Sequence, residues 1–386
     1  MEPISVETLR ATMEGVTRLV EASIGDELLD EFGLMLDGWS HASEHYVAVF
    51  AWYEPDGVAK TGLLSMAPII NEPEEDLSAR THRDVLTGML EHDFRKQVSC
   101  CKYLVGDNCS VNKRLATMMQ VPLVGCASHR LSRAVQHQLV QHEEDLAVVQ
   151  ALMSKLRTLK QSAKRRFKTP LRPIIRQDTR WGSTFAMVHR YFALLEFLDA
   201  EDEDIMDLLP SPACIRQLKK LHAELKDIES VSKALQAEDV NLLDVRVWFD
   251  ELIAAHPAFV AYIGSRANIV HCPDFESGCV RVLKGSGVRP TAAETRALRP
   301  FIRPVQATEV EGEPNRETSP DRSTETRYSL ISSIPATSNK VERYFSVART
   351  TLGQERNGMQ PITLEMILFL RENARFWDVS AVDQLV

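Results

Sequence analysis

The spacing of apolar and polar positions predicts a mixed first part of the chain. Residues 1–30 carry apolar side chains at helical spacing and predict a helix. Three strands follow in FGLMLDGWS, HYVAVFAWY and GVAKTGLLSMAPII, and the turn sequence EPDG joins the second to the third. A helix over 78–98, a strand in CKYLVGDNCS, a helix over 111–119 and a strand in VPLVGCASH complete the order βββαβαβ. This order predicts an α/β fold with a mixed sheet and helices on its faces.

The rest of the chain has a helical pattern. One long amphipathic helix is predicted over 131–167, and helical spacing continues over 181–298. Residues 306–326 are rich in Glu, Thr, Ser, Pro and Arg and predict a disordered loop. Two helices follow in SNKVERYFSVARTTL and ITLEMILFLRENARFW, and Thr363 is the predicted cap of the second.

Composition narrows the class of protein. The 386 residues contain no apolar run of membrane-spanning length and no signal-peptide pattern at the N-terminus, so we expect neither a membrane span nor secretion. Seven cysteines without a repeating spacing favour a reduced intracellular chain. The net charge of -9 argues against a generic nucleic-acid binder, although residues 126–180 hold twelve Lys and Arg against four Asp and Glu.

Two aspartates carry the candidate chemistry. Asp37 and Asp107 each follow an apolar strand, where carboxylates can face a crevice and share hard divalent cations such as Mg²⁺ or Mn²⁺. Two such ions about 3.5–4 Å apart support phosphoryl transfer. In the alternative interpretation Asp37 only starts a turn before Gly38, and Asp107 with Asn108 caps the next helix. The two residues alone leave both interpretations open.

Five motifs occur in a specific order along residues 30 to 380. They are LMLDGWSHASEHYVAVFAWY, KYLVGDNCSVNKRLA, VGCASHRLSRAVQ, DTRWGSTFAMVHR, and PATSNKVERYFSVA followed by RNGMQPITLEMILFL. Together they resemble the catalytic part of hAT-family DNA transposases. The resemblance implies an RNase H-like fold whose mixed sheet is interrupted by an all-helical insertion. It implies a metal-binding acidic triad of Asp37, Asp107 and Glu342, which would use Mg²⁺ or Mn²⁺ for DNA phosphodiester cleavage and strand transfer.

The resemblance also implies a domain organisation. Residues 1–165 would form the N-terminal part of the RNase H-like domain, and residues 166–305 the helical insertion. Residues 306–327 would form the disordered acidic loop. Residues 328–386 would complete the catalytic core and form the dimerisation region, so we expect a homodimer or a higher homo-oligomer.

Further residues are candidates for DNA contact. Cys126 and His129 have the spacing of a zinc half-site without an evident second half, and the resemblance instead places His129 near the active site, contacting phosphate or orienting a carboxylate. A structural histidine is the third possibility. Trp181 would stack on a flipped base, or else anchor a helix in a core. The cations that could contact phosphates, or else form a solvated face, are Lys164, Arg165, Arg166, Lys168 and Arg180.

Two departures from the family pattern bear on function. Residues 1–37 contain no Cys or His, so a BED-type zinc finger is not expected there, and DNA binding would be weak or non-specific. Arg356-Asn357-Gly358-Met359 stands where the family has Arg-Asn-Arg-Leu. Three hypotheses remain open. The first is a metal-dependent DNA strand-transfer enzyme or nuclease. The second is a truncated or domesticated relative that is not catalytic and acts by dimerisation or nucleic-acid binding, and the third is a decaying transposon fragment. We expect the protein to be located in the nucleus, or in both the nucleus and the cytoplasm.

Overall fold

The computed structural model describes residues 5–70, 72, 75–177, 181–285, 289–303, 328–353 and 359–383. Its strands are β1 (Phe32–His41), β2 (Glu44–Tyr53), β3 (Lys60–Pro68), β4 (Cys101–Gly106) and β5 (Leu123–Gly125). Its α-helices are α1 (Val6–Glu27), α2 (Ala79–His92), α3 (Ser110–Met119), α4 (Ala127–Leu139), α5 (Glu143–Leu156), α6 (Leu159–Arg166), α7 (Trp181–Leu194), α8 (Pro212–Ala234), α9 (Leu242–Ala255), α10 (Val260–Ile263), α11 (Pro273–Leu283), α12 (Ala292–Leu298), α13 (Asn339–Leu352), α14 (Pro361–Glu372) and α15 (Val379–Asp383).

The five strands form one mixed sheet in the order β3-β2-β1-β4-β5. The first three strands are an antiparallel meander, and β4 and β5 run parallel to β1. The EPDG turn between β2 and β3 closes with positive φ at Asp56 (54°) and Gly57 (75°), values that Gly adopts freely and Asp tolerates. The predicted α/β fold with a mixed sheet and flanking helices is therefore confirmed.

Helices cover both faces of β1. Residues 32–36 are buried without alternation, which is the pattern of a strand with packed neighbours on each side. One face, with Leu36, borders a small cavity that is also lined by Leu86 and Met89 of α2. On the opposite face the Trp39 ring stacks on Phe345 of α13, with ring centroids 5.9 Å apart. Asp37 shares this second face because side chains alternate along a strand.

The chain divides into two compact units. The first consists of Met1–Ala127, Asp239–Val247 and Ser265–Val386, and it contains the sheet with α1–α3 and α11–α15. The second consists of Ser128–Glu238 and Trp248–Gly264 and is helical in its described residues. The domain boundaries given by the sequence remain predictions, and the expected disordered loop at 306–327 lies outside the described residues. Within the described chain, no helix is both long enough and apolar enough to span a membrane.

The single long helix expected over 131–167 is wrong. The segment forms α4, α5 and α6, with a short 3-10 turn after α4 and an extended Thr158 before α6. Three acidic residues occupy the first turn of α5. Negative charge there favours a helix start because the N-terminal end of a helix carries partial positive charge.

The expected cap of α14 is also wrong. Gln360 is the N-cap residue and Pro361 is the first helical residue, so Thr363 lies inside the first turn. Proline is favoured at the first helical position because its fixed φ is already helical and it has no N–H to leave unpaired.

The sequence also predicted helical structure over residues 181–298. Helices α7–α12 confirm this prediction for the described residues.

Candidate functional site at the edge of the sheet

The register of β1 and β4 brings Asp37 and Asp107 to the same level of the sheet. The last parallel pair is Met35 with Val105, and each aspartate lies two residues further along its own strand direction. Adjacent strands lie about 4.8 Å apart, so the two backbones are neighbours at this edge. Asp107 comes directly after β4, as the sequence predicted.

The expectation that β1 ends at Asp37 is wrong. β1 continues to His41, and Asp37 is paired with Ala48 of β2. The β1–β4 pairing nevertheless ends at Met35 and Val105, two residues before Asp37. The hairpin with β2 explains the difference, because Asp37-Gly38 stays extended when an antiparallel partner is available.

Helix α13 lies across the face of β1 that carries Asp37. Tyr344 meets the ring of Phe50 edge-on with centroids 5.4 Å apart, and Phe345 stacks on Trp39. Phe50 is the β2 partner of Met35, and Met35, Asp37 and Trp39 are alternate residues on the same face of β1. The two ring contacts therefore lie on either side of Asp37. Glu342 lies in the first turn of α13, one turn before Phe345. This helix therefore returns Glu342 to the sheet more than two hundred residues after Asp107.

Cys126 connects the start of α13 to the end of β4. Its backbone N–H donates to the carbonyl of Gly106 at 2.7 Å. Its Sγ accepts the N–H of Ser338, the N-cap residue of α13, at 3.3 Å. The next residue, Ala127, donates its N–H to the carbonyl of Ala336 at 3.0 Å. The last residue of β4, which precedes Asp107, and the N-cap residue of the Glu342 helix are thus both hydrogen-bonded to one buried cysteine.

The aspartates have local hydrogen-bond partners. Asp37 Oδ1 accepts the N–H of Gly38 at 2.8 Å. Asp107 Oδ1 accepts Nδ2 of Asn112 at 2.6 Å, and the same amide nitrogen donates to the Asp107 carbonyl at 3.2 Å. Burial, with a smaller contribution from Asp107, raises the pKa of the Cys109 thiol to about 11. That thiol is therefore protonated at neutral pH and adds no thiolate to the site.

The donors at this edge are oxygen atoms, which suit Mg²⁺ or Mn²⁺ better than a soft metal. Asn108, next to Asp107, has both polar atoms of its side chain buried and without a hydrogen-bond partner in the described chain. A buried amide without a hydrogen-bond partner is energetically costly. Among the described residues, no three His, Cys, Asp or Glu side chains are arranged as a group that could hold a metal ion.

In the second unit, the basic run on α6 contains cations in different environments. Lys164 forms an ion pair with Asp202 at 2.7 Å. Arg165 is buried, and its guanidinium donates to the Leu156 carbonyl at the end of α5 at 2.9 Å. Arg166 is exposed, and so is Lys168 beyond the helix end.

Two further predicted DNA contacts, His129 and Trp181, lie on other helices of the second unit. His129 is half-buried in the first turn of α4. Trp181 is the first residue of α7 and its side chain is only 7% exposed, so stacking on a base would require it to leave this environment. Arg180 lies outside the described residues. The zinc half-site remains a hypothesis, although the Cys126 sulfur already accepts a hydrogen bond.

Two residues of the edge were missed by the sequence interpretation. Asn112 holds the Asp107 carboxylate, and its position five residues after an Asp at a strand end was an available signal. Asn108 was considered only as a helix cap, whereas Cys109 is the N-cap residue of α3. A Cβ at Gly125 would lie 2.2 Å from Asn108 Nδ2, which explains why this β5 position has no side chain.

Comparison with known families adds information about the C-terminal segment. Residues 327–374 match the model of the hAT family C-terminal dimerisation region. Among the described residues this segment contains α13 and α14, and therefore Glu342. The match supports a transposase-like protein related to the hAT family, and it supports homo-oligomerisation. No curated protein matches the chain.

Proposed function

We propose that this chain is a homo-oligomeric, RNase H-like relative of hAT transposases that cleaves DNA phosphodiesters at the edge carrying Asp37, Asp107 and Glu342. The observation that supports this most directly is the convergence of β1, β4 and α13. The register of the strands, the Trp39–Phe345 stack and the Cys126–Ser338 hydrogen bond all bring the backbone around these carboxylates to one edge.

The three carboxylates do not form a metal-binding group as they stand in the described chain, so they would turn toward the ion to hold Mg²⁺ or Mn²⁺, with the amide oxygen of Asn108 as a further oxygen donor. When bound, such ions activate the attacking oxygen and stabilise the leaving oxygen in phosphoryl transfer. A water oxygen or a DNA 3′-OH would attack phosphorus as the bond to the leaving oxygen breaks. Asn112 would orient Asp107, because its amide already donates to one carboxylate oxygen.

A cleavage assay tests the catalytic part of the proposal. The full chain is incubated with Mn²⁺ and nicked or hairpin-ended duplex DNA, beside Asp107→Asn and Glu342→Gln. We expect each variant to reduce cleavage at least about a hundredfold, since each removes a charge used in transition-state stabilisation. Asp56→Asn is the matched control, because Asp56 lies in the β2–β3 turn and Asn tolerates its positive φ. Equal cleavage by all four proteins would reject the triad.

DNA contact is proposed at the end of α6 in the second unit. Phe167 is 88% exposed and stands between the exposed cations Arg166 and Lys168. An exposed ring offers a stacking surface for an unpaired base, and the flanking charges attract phosphates. Lys164 and Arg165 are less suitable because an acid neutralises the first and a helix end engages the second.

Fluorescence anisotropy with single-stranded and duplex oligonucleotides checks this assignment. Phe167→Ala should weaken single-strand binding about tenfold or more, because stacking contributes about 1–3 kcal/mol per base. Arg166→Gln should weaken binding to both oligonucleotides and lower the salt dependence by about one charge. Lys164→Gln is the control and should change little. Single-strand affinity unchanged in Phe167→Ala would remove the stacking role.

Self-association is proposed at a corner of the first unit. Arg10 of α1 donates to the Gln360 side chain at 3.2 Å, so the N-terminal ends of α1 and α14 adjoin. Apolar side chains are exposed at this corner, with Leu9 54% and Ile362 45% accessible. Ile362 belongs to the segment that matches a dimerisation region, and exposed apolar groups there and beside it favour an interface between two copies.

Light scattering during size-exclusion chromatography compares the full chain with Ile362→Asp. We expect a buried charge at the interface to shift the protein toward monomer. Leu159→Asp is the matched control, because Leu159 is 91% exposed and belongs to the second unit. The same mass for all three proteins would contradict the assigned surface.

A non-catalytic, dimerising relative is the second candidate function. It is favoured by the family match, which covers only the dimerisation region. A dimer without cleavage and without Mn²⁺ binding, measured by the electron paramagnetic resonance of the ion, would select this candidate.

A further inference from the structure

Two histidines of the second unit contact each other across α7 and α8. The Nδ1 atom of His189 lies 3.1 Å from the Nε2 atom of His222. His189 is exposed and His222 is half-buried, so that solvent reaches the pair. Neither residue belongs to the proposed catalytic edge or to the proposed DNA contact.

The distance between the two nitrogens suits a shared metal ion. Imidazole nitrogens bind a transition metal at about 2.0–2.1 Å, which separates two ligands by about 2.9 Å at a right angle and about 3.3 Å at a tetrahedral angle. The observed 3.1 Å, at which the two rings are joined by a hydrogen bond, lies between these values. The ion would replace the proton that the two rings share, and each neutral ring would keep one N–H on its other nitrogen.

Aromatic neighbours restrict the orientation of both rings. Phe185 stacks on His222 with an interplanar angle of 10° and on His189 with an angle of 24°. Phe192 contacts His222 from another direction, with centroids 5.4 Å apart. Rings held in this way lose little further freedom when a metal binds, which is the advantage of a preorganised site.

Burial is the main cause that lowers the pKa of His222, followed by the charges of His189 and Lys226. A neutral imidazole is the form that binds metals. The Lys226 ammonium lies one helical turn along α8 and opposes the approach of a cation. Removal of that charge should therefore strengthen metal binding.

We propose that His189 and His222 form a binding site for a divalent transition metal of the Zn²⁺, Ni²⁺ and Cu²⁺ class, which would bridge α7 and α8. Imidazole suits these ions, whereas the carboxylates of the sheet edge suit Mg²⁺ or Mn²⁺. In the described chain no third His, Cys, Asp or Glu joins the pair to form a metal-binding group, so water would fill the remaining positions. The proposal is independent of the proposed cleavage activity.

Titration calorimetry of the reduced, chelator-treated full chain with Ni²⁺ tests the site. His189→Phe and His222→Phe keep an aromatic ring in the cluster but remove the nitrogens, and each should weaken binding at least about tenfold. Lys226→Gln should tighten it. His256→Phe is the matched control, since His256 also stacks on a phenylalanine ring, that of Phe259.

Nuclear magnetic resonance of the imidazole nitrogens with diamagnetic Zn²⁺ gives a second readout that does not depend on the variants. Binding should move the signals of Nδ1 in His189 and Nε2 in His222. The site is rejected if both Phe variants bind Ni²⁺ as tightly as the unchanged chain. It is rejected equally if cysteine alkylation, and not loss of the histidines, abolishes binding.

Discussion

Three carboxyl groups in the first unit make the stability of the chain depend on pH. Glu21 on α1 interacts with Asp93 at the end of α2 and with Glu365 on α14. Burial, and then the charges of Asp93 and Glu365, raise the pKa of Glu21 to about 7 from 4.5, against the opposing charge of Arg18. Burial also raises the pKa of Asp93 and that of Glu365.

The direction of the effect follows from proton binding. Between pH 4.5 and about 7 the folded chain holds a proton on Glu21 that the unfolded chain has released. The stabilisation is therefore complete below pH 4.5 and is lost as the pH rises through 7. The difference in pKa corresponds to at most about 3 kcal/mol, and solvent screening of the half-buried side chain reduces this to about 1–2 kcal/mol.

Replacement of Glu21 by Gln removes the charge and keeps the shape of the side chain. We expect Glu21→Gln to increase the free energy of unfolding by about 1–2 kcal/mol at pH 8 and to change it little at pH 5. Guanidinium denaturation followed by circular dichroism at both pH values measures this difference.

Asp26→Asn is the control for this prediction. Asp26 is exposed on the same helix, so its replacement should give the same small effect at pH 5 and pH 8. The reasoning is refuted if Glu21→Gln destabilises the chain at pH 8, or if its effect is the same at both pH values.

Three further changes test particular contacts. Gly125→Ala should cost about 1–3 kcal/mol, because the new Cβ would collide with the Asn108 amide, and an unchanged melting temperature would contradict this. Phe345→Ala should cost about 3 kcal/mol and alter the near-ultraviolet circular dichroism of Trp39, whereas an unchanged spectrum would argue against the stack. Arg165→Met should destabilise the chain by about 1–2 kcal/mol and leave its affinity for DNA unchanged. A loss of DNA affinity without a loss of stability would instead indicate that Arg165 contacts DNA.

The sequence predicted the order of the strands and helices around the sheet well because that order depends on local signals. Apolar runs and the EPDG turn define β1–β3, and Asp107 follows β4 where the apolar run ends. The continuation of β1 past Asp37 depends instead on pairing with β2, which contributes hydrogen bonds to residues that have no apolar pattern of their own. For the same reason the sequence predicted one helix over 131–167 where the structure has three. The periodicity of apolar residues alone does not reveal an extended residue such as Thr158.

The sequence identified which residues could form the candidate site, but not the contacts that position them. Asp37, Asp107 and Glu342 follow from the resemblance, yet their neighbourhood depends on Cys126 and Asn112, whose roles come from packing. The pattern of charges likewise could not show that Arg165 is buried and Arg166 exposed, since burial of Arg165 against the end of α5 depends on the tertiary structure.

The hydrogen bond between Cys126 and Ser338 joins parts of the edge that are synthesised at very different times. The two residues are 212 positions apart, so the strands that carry both aspartates leave the ribosome long before the helix that carries Glu342. During synthesis the sheet would expose an incomplete set of carboxylates, and folding of the edge would wait for the last helices. Under the proposed function, a translation product interrupted before Glu342 would lack one of the three carboxylates and would not cut DNA.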